Sequence, residues 1–378
     1  MIHNSAEKAR TKFWMRLTKY LLSNIPKRSV GQELSGQCKI CIKEVFLLRG
    51  ANVKTVWLEV HGPEIAKLED SVIPEEFEVV RPVSRTDKEE HLRLLTDAEF
   101  IVVGGVPITD EYIRAAKKLR FIQKWGVGFD NIAIETAREL GIGVGITAGS
   151  NADAVAELAV GLMMATLRRI SYVDRATRQG IWSKATIRPS AYMMQGKTVG
   201  MLGIGHIAQA AARKLSGFEI KEILYYDLRR LSPEKEKELN ARYVDLDTLF
   251  RESDVLSLHV PLNKGTAQIV NAKTLSMMKP TSILINTARG GLVDEAALID
   301  ALKNKAIKGA GLDAFEQEPI QMDNPLLSMD NVVLSNHCGN STIDSIIPMT
   351  KHVFDNLQLF VQGQDLPAED VVVAPVKK

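Results

Sequence analysis

From Lys54 onward, short β-branched runs alternate with stretches of helical period: KTVWLEV, FEVV, EFIVVGG, RFIQKWG and GVGIT, each separated from the next by a more polar segment. Strands that recur with helices between them predict a parallel sheet with helices on its faces. The alternation restarts with KTVGMLGIG, EILYYD, DVLSLHV, SILINTA, IKGAGLDA and NVVLSNH, so the chain reads as two α/β units. Between them lies NADAVAELAVGLMMATLRRI, Asn151 to Ile170. Asn151 is a plausible N-cap. Val155, Leu158, Ala159, Leu162, Met163, Thr166 and Leu167 form a stripe at helical spacing, and Val160 and Met164 make the opposite side apolar too. A helix greasy all round must be covered on both sides; it is expected to join the units and to contribute to a subunit interface, although a helix buried within one unit has the same pattern.

Composition adds bounds. A chain of 378 residues, 45% hydrophobic, can bury large cores and is expected to form two domains. Its 48 basic and 46 acidic side chains nearly cancel, which leaves no electrostatic footprint for nucleic acid or an anionic membrane and points to a small-molecule or protein partner. No stretch approaches the roughly 18 to 20 apolar residues of a membrane span, so a soluble protein is expected. Three cysteines (Cys38, Cys41, Cys338) suggest a reducing compartment, and the single C-x-x-C reads as coincidence. Residues 1 to 30 are basic, with an amphipathic FWMRLTKYLL; they fit an import signal or a docking helix, and Glu7 with the scarcity of serine favours the helix. The seven histidines are dispersed without metal-ligand spacing, so no metal is expected.

VGMLGIGHIAQAAARKL carries G-x-G-x-x-A at Gly203, Gly205 and Ala208, after a predicted strand and opening an Ala-rich helix. There Gly203 permits a tight turn and Gly205 lets the backbone approach a pyrophosphate at the positive end of the helix dipole. Asp227 ends the next strand, where a carboxylate accepts from ribose hydroxyls and repels a 2′-phosphate, favouring NAD. Arg229 and Arg230 follow at once and leave NADP open.

In TSILINTARGG a permanently charged Arg289 stands where an apolar strand runs out, and in open α/β sheets ligands bind beyond such strand ends. A guanidinium there suits a planar anion such as a carboxylate. Gly290 and Gly291 allow close backbone approach before Asp294 caps the next helix. The following strand ends with Asp313, Glu316, Glu318 and Pro319, and the one after with His337. Three successive strands thus deliver Arg, Asp/Glu and His to one sheet edge, and a histidine held by a carboxylate is a proton donor.

From roughly Lys54 to Pro367 the chain resembles the D-isomer-specific 2-hydroxyacid dehydrogenase family, through KWGVGFDNI, NADAVAE, GKTVGMLGIGHIA, LHVPLNKGTAQIV, MMKPTSILINTARGGLVDEAAL, GAGLDAFEQEP and NHCGNST. The resemblance implies that Arg289 binds the substrate carboxylate and carbonyl, that His337 exchanges the proton, that Glu318 supports His337 and that Asp313 holds the nicotinamide end. By motif position it assigns the loop Trp125, Gly126, Val127 and Gly128 to the substrate, with Lys124 beside it for a second anionic group. It assigns His206, Ile207, His259, Val260, Pro261, Thr266, Thr287 and Ala288 to the dinucleotide. It also implies two Rossmann-like or flavodoxin-like domains: a discontinuous substrate domain, 51–150 and 337–378, with an NAD-binding domain, 151–336, inserted. VFDNLQLFVQGQDL would be the helix running back, and domain closure over the cleft would exclude water. Asn336 departs from the family, where a proline usually precedes the histidine, and residues 1–50 match nothing in it.

The expectation is therefore a cytoplasmic, homodimeric NAD-dependent enzyme that interconverts a 2-oxo acid and a D-2-hydroxy acid of the phosphoglycerate, glycerate/hydroxypyruvate or glyoxylate class. A similar NAD-sensing corepressor is the alternative, and phosphite oxidation stays open. Formate dehydrogenases carry glutamine at the position of Glu318 and are set aside.

Overall fold

The structure, a computed structural model, describes residues 52–376. The helix expected in the basic residues 1–30, the Cys38/Cys41 pair and the extension to residue 50 lie outside the described residues. Thirteen strands are described: β1 (Val53–Trp57), β2 (Phe77–Val80), β3 (Phe100–Val103), β4 (Phe121–Lys124), β5 (Gly143–Gly145), β6 (Thr198–Leu202), β7 (Glu222–Tyr226), β8 (Ala241–Tyr243), β9 (Val255–Leu258), β10 (Ile283–Asn286), β11 (Gly309–Leu312), β12 (Val332–Leu334) and β13 (Val371–Val373). One sheet has the order β13-β5-β4-β3-β1-β2 and the other β12-β11-β10-β9-β6-β7-β8. Every pairing is parallel except β13 with β5, where Val371 faces Gly145.

Helices cover both faces of each sheet, so central strands are apolar throughout rather than alternating. FIVV in β3 and ILIN in β10 are buried at every residue. All eleven apolar runs are strands. β8 and β13 were not anticipated, since each is a three-residue edge strand too short to leave a period.

The helix Ala152–Leu167 leads into the second lobe and packs on the helix His206–Leu215 and on β10 and β11. Its stripe, Val155, Leu162, Met163 and Leu167, is buried, and Leu158, Val160 and Met164 are partly covered by the same core. Its apolar sides are thus largely accounted for within one lobe. Asn151 stands at its N-cap position, yet its side chain makes no capping bond, because its backbone (φ −102°, ψ 5°) is not the extended conformation that aims a cap.

The returning helix runs Ile343–Val361, starting earlier than VFDNLQL and carrying Pro348 inside it. Phe354 meets Trp57 and Phe77 at ring-centroid distances of 6.2 and 5.2 Å, and Phe360 meets Phe121 at 4.9 Å. The chain thereby returns to the first lobe, where β13 closes the sheet edge. Among the described residues no helix is long and apolar enough to cross a membrane.

Candidate active site

β10, β11 and β12 are neighbours, so their carboxyl ends open side by side. Beyond β10 the fully buried Asn286 folds the turn: its Oδ1 accepts from Ala288 N–H (3.0 Å) and its Nδ2 donates to the Arg289 carbonyl (2.9 Å). Asp294 then caps the helix Glu295–Lys303 by accepting from Ala297 N–H (3.0 Å). The guanidinium of Arg289 reaches the first lobe. Its Nε donates to Asp130 Oδ1 at 2.9 Å and its Nη1 to the Ala288 carbonyl at 2.8 Å. Three of its five N–H donors have no partner among the described residues, and they are free for an anion or a carbonyl oxygen. Burial opposes charge on Asp130, but the Arg289 charge and hydrogen bond prevail and hold its carboxyl below the usual range.

Beyond β11 and β12, the acids divide their work. Asp313, 1% exposed, accepts from the N–H groups of Cys338 (2.9 Å) and Gly339 (3.0 Å), which fixes the turn that carries His337. Glu318 Oε1 accepts from Phe315 N–H (3.0 Å), and Oε2 lies 2.7 Å from His337 Nδ1. Glu316 does not reach the histidine; its N–H donates to Glu295. His337 itself has φ +56°, a left-handed backbone conformation that stands directly before the two amides bonded to Asp313.

On the first lobe, Trp125 to Gly128 follow β4 as a loop pinned by Thr147, which receives Gly126 N–H on its hydroxyl at 3.0 Å. The N–H groups of Val127 and Gly128 have no acceptor among the described residues, and both residues line the cleft. Gly128 lies so close to Arg289 that a Cβ on it would sit 1.4 Å from Nη2. Lys124 turns the other way. It is 8% exposed, its ammonium donates to the Gly104 carbonyl and to Asn131 Oδ1, and it is not part of the cleft wall. Burial, with the nearby Arg289 charge, pushes its pKa down to about 8.

At the dinucleotide motif Gly203 has φ +91°, and a Cβ there would meet the His259 carbonyl oxygen at 2.8 Å, so glycine is required. The helix His206–Leu215 starts with Gly205 as N-cap and no side-chain cap, leaving its first amides for an anion. Asp227 is held by Ile204 N–H (2.9 Å) and Arg229 N–H (3.1 Å). Arg230 is occupied by Glu236 (2.9 and 3.0 Å), whereas the Arg229 side chain makes no contact of its own among the described residues. Ile207, His259, Val260, Pro261, Thr287, Ala288 and Asp313 line the cleft. His206 instead faces Glu369 at 3.2 Å, and Thr266 ties its own loop by donating to the Pro261 carbonyl at 2.6 Å. Burial pushes the His259 imidazole down to about 4, so it is neutral at ordinary pH, with Nε2 2.9 Å from Ser257 Oγ.

These walls enclose a cleft of about 700 Å³ between the lobes. Trp125 Nε1, Asn151 Oδ1, Thr287 Oγ1 and Asn340 Oδ1 belong to its lining residues and are buried without a partner among the described residues. Orphaned polar atoms around an uncapped helix terminus and a strand-end carboxylate fit a dinucleotide with a polar nicotinamide end. Sequence reasoning missed Asp130, Asn286 and Asn340 and read Asn151 only as a cap; the three missed residues stand inside quoted motifs, but of them Asn286 alone, close before Arg289, had a spacing to that residue that could have signalled its role.

Over residues 160–339 the chain matches the family described as D-isomer specific 2-hydroxyacid dehydrogenase, NAD binding domain. Glyoxylate reductase of Thermococcus litoralis is 44% identical over 265 residues, 69% of this chain and 79% of that protein. Hydroxypyruvate reductase of Thermotoga maritima is 40% identical over 275 residues, 72% of this chain and 87% of that one. The crystal structure of a glyoxylate reductase from Paecilomyes thermophila matches with a TM-score of 0.73 at 30% identity, covering 85% of this chain and 98% of its own. With the fold, the arginine, the carboxylate-held histidine and the dinucleotide turn in place, the chain belongs to the D-isomer-specific 2-hydroxyacid dehydrogenases, NAD(P)-dependent oxidoreductases that interconvert 2-oxo and 2-hydroxy acids.

Proposed function

We propose that this enzyme reduces a short 2-oxo acid of the glyoxylate or hydroxypyruvate class with NADH, giving the 2-hydroxy acid, of D configuration where C2 becomes chiral. One observation carries the reading: Arg289, with three unengaged N–H donors, and His337, held by Glu318, line one cleft beside the free amides of Val127 and Gly128. The substrate carboxylate lies between those amides and the guanidinium, and the guanidinium also polarises the carbonyl. Glu318 takes Nδ1 of His337, so Nε2 is the nitrogen that gives its proton to the carbonyl oxygen as charge develops there. The nicotinamide, when bound, supplies hydride to the substrate C2. Gly203, Gly205 and the amides of His206 and Ile207 would hold the pyrophosphate, Asp227 the ribose, and the cleft-lining Asp313 with Thr287 the nicotinamide end. Lys124 is engaged behind the loop, which argues against a phosphorylated substrate.

In this reading 51–150 with 337–378 forms the substrate domain and 151–336 the nucleotide domain. The protein is a cytoplasmic homodimer, with the exposed Ile181, Trp182 and Met193 (53%, 82% and 60% exposed) as the apolar surface available to the partner. Turnover of NADH with glyoxylate, hydroxypyruvate, pyruvate, phenylpyruvate and 3-phosphohydroxypyruvate tests the substrate class. Arg289→Ala and His337→Ala should abolish turnover by several orders of magnitude and keep NADH binding. Normal turnover in either variant, or no turnover of any 2-oxo acid by the wild type, would refute the reading.

A further inference from the structure

We infer that His61 is a specificity-determining residue of this cleft, selecting 2-oxo acids that carry a hydroxyl at C3. The inference rests on the proposed 2-oxo acid reduction and concerns the wall formed by the first lobe. His61 lies between β1 and the helix Pro63–Asp70 and lines the cleft that Arg289 and His337 share. Its Nδ1 is 2.6 Å from Glu69 Oε1. Glu69 is fully buried, and its second oxygen accepts from Arg81 Nη2 at 3.2 Å. Arg81 is itself anchored by Asp70 at 2.9 Å and lies over the Trp57 ring at 4.8 Å. On its other side the imidazole packs against Trp125 of the substrate loop, with ring centroids 5.2 Å apart.

A carboxylate only accepts, so Glu69 assigns the proton to Nδ1 and turns Nε2 into the working atom. Nε2 makes no hydrogen bond among the described residues, and the side chain is 22% exposed. A histidine with a purely structural role looks different in this same lobe. His91 is 1% exposed and uses both nitrogens, on Tyr112 Oη (3.0 Å) and the Ser84 carbonyl (2.9 Å). Burying a carboxylate is costly, and an aliphatic side chain would fill a cleft wall at less cost; here the buried pair serves to orient an imidazole with one nitrogen unspent.

The chemistry of the occupant follows from the donor and acceptor count. A hydroxyl both donates and accepts, so it satisfies Nε2 whether the ring is neutral or protonated. A methyl group or a hydrogen satisfies neither state, and an anionic group satisfies only the cation. Among the cleft-lining residues Arg289 is the only lysine or arginine, so no further permanent positive charge stands there to pair with a phosphate or second carboxylate at C3.

The test compares kcat/KM with NADH for hydroxypyruvate, pyruvate and 3-phosphohydroxypyruvate in the wild type, His61→Leu and His61→Gln, with NADH affinity as the check on folding. His61→Leu should lower the hydroxypyruvate-to-pyruvate ratio by about tenfold or more. His61→Gln, whose amide reaches the position of Nε2, should restore most of that ratio. An unchanged ratio in His61→Leu, a fall shared equally by both substrates, or a loss confined to 3-phosphohydroxypyruvate would each overturn the inference. A wild type inactive on all three, with NADH bound, would instead sink the 2-oxo acid reading beneath it. Active wild type with unaltered selectivity in the variant separates the two failures.

Discussion

Gly128→Ala probes the contact between the lobes at the point where geometry is tightest. A Cβ at residue 128 would lie 1.4 Å from Arg289 Nη2 and 2.7 Å from its Cζ. Ordinary contact needs roughly 3.5 Å, so the guanidinium has to retreat by about 2 Å. It is the far end of a flexible side chain, and nothing in the backbone obstructs the new methyl, so the fold accommodates the change. The retreat breaks the 2.9 Å bond to Asp130 and displaces the donors aimed at the substrate. Misplacement by about 1 Å can cost on the order of 10²-fold in rate, so kcat/KM for the best 2-oxo acid should fall at least that much, about 2.7 kcal/mol in barrier. NADH affinity, read by quenching or calorimetry, should stay within about twofold, because Arg289 faces the acid. The matched control is Gly290→Ala. There a Cβ would sit 1.8 Å from the Phe315 carbonyl oxygen, which is backbone and unable to yield, so that variant should lose the fold rather than the activity. Near-normal kcat/KM in folded Gly128→Ala would refute the placement of Arg289 against the substrate loop.

Other consequences can be measured separately. Asp227→Ala should lower the NADH-to-NADPH kcat/KM ratio at least about tenfold, and adding Arg229→Ala should withdraw the gain in NADPH use; Arg230→Ala should not, because Glu236 already holds that side chain. If the single change leaves the ratio intact, Asp227 does not set the preference. Lys124 has its pKa pushed down to about 8, so the folded protein binds its proton less tightly than the unfolded chain does. Its ionised form costs stability below pH 8, and the penalty is relieved between about pH 8 and 10.5, where the unfolded state holds the extra proton. Over that window the urea stability of the wild type should gain on that of Lys124→Met by on the order of 3 kcal/mol. Parallel pH profiles for the two proteins would show that the ammonium is not held as described.

Much of the nucleotide lobe was legible because its signals are local. A buried strand is a continuous apolar run, a dinucleotide turn is glycines at fixed offsets, and Arg289, Asp313, Glu318 and His337 each follow a strand within a few residues. What escaped depends on partners distant in sequence. Asp130 acquires its meaning from Arg289, far along the chain, and Lys124 faces inward because Gly104 and Asn131 happen to receive it. A lysine next to a substrate loop gives no period or spacing that says which way it turns. Asn151 reads as a cap by residue type, yet its φ and ψ release the side chain from that duty, and backbone angles of a single residue leave no trace in composition. The returning helix is hidden at its start by Pro348, which normally marks a boundary.

The same asymmetry bears on how one fold serves several acids. On the proposed function, proton transfer and carboxylate anchoring come from three adjacent parallel strands, whose carboxyl ends are held in register by the sheet ladder. Changing any of those side chains removes chemistry common to every 2-oxo acid. The opposite wall is built from loops and the helix Pro63–Asp70, where His61 depends on Glu69 and Glu69 on Arg81. Those three residues touch no part of the sheet ladder that positions Arg289 and His337. On that reading, selectivity can be altered in the first lobe while Arg289, Glu318 and His337 stay where the second sheet puts them. Glu69→Gln gives that separation a measurable form: it leaves Arg289, Glu318 and His337 untouched, loosens the His61 ring, and should shift the hydroxypyruvate-to-pyruvate ratio in the same direction as His61→Leu. Loss of turnover on all substrates alike would mean that the two walls are coupled and that the lobes do not divide the work in this way.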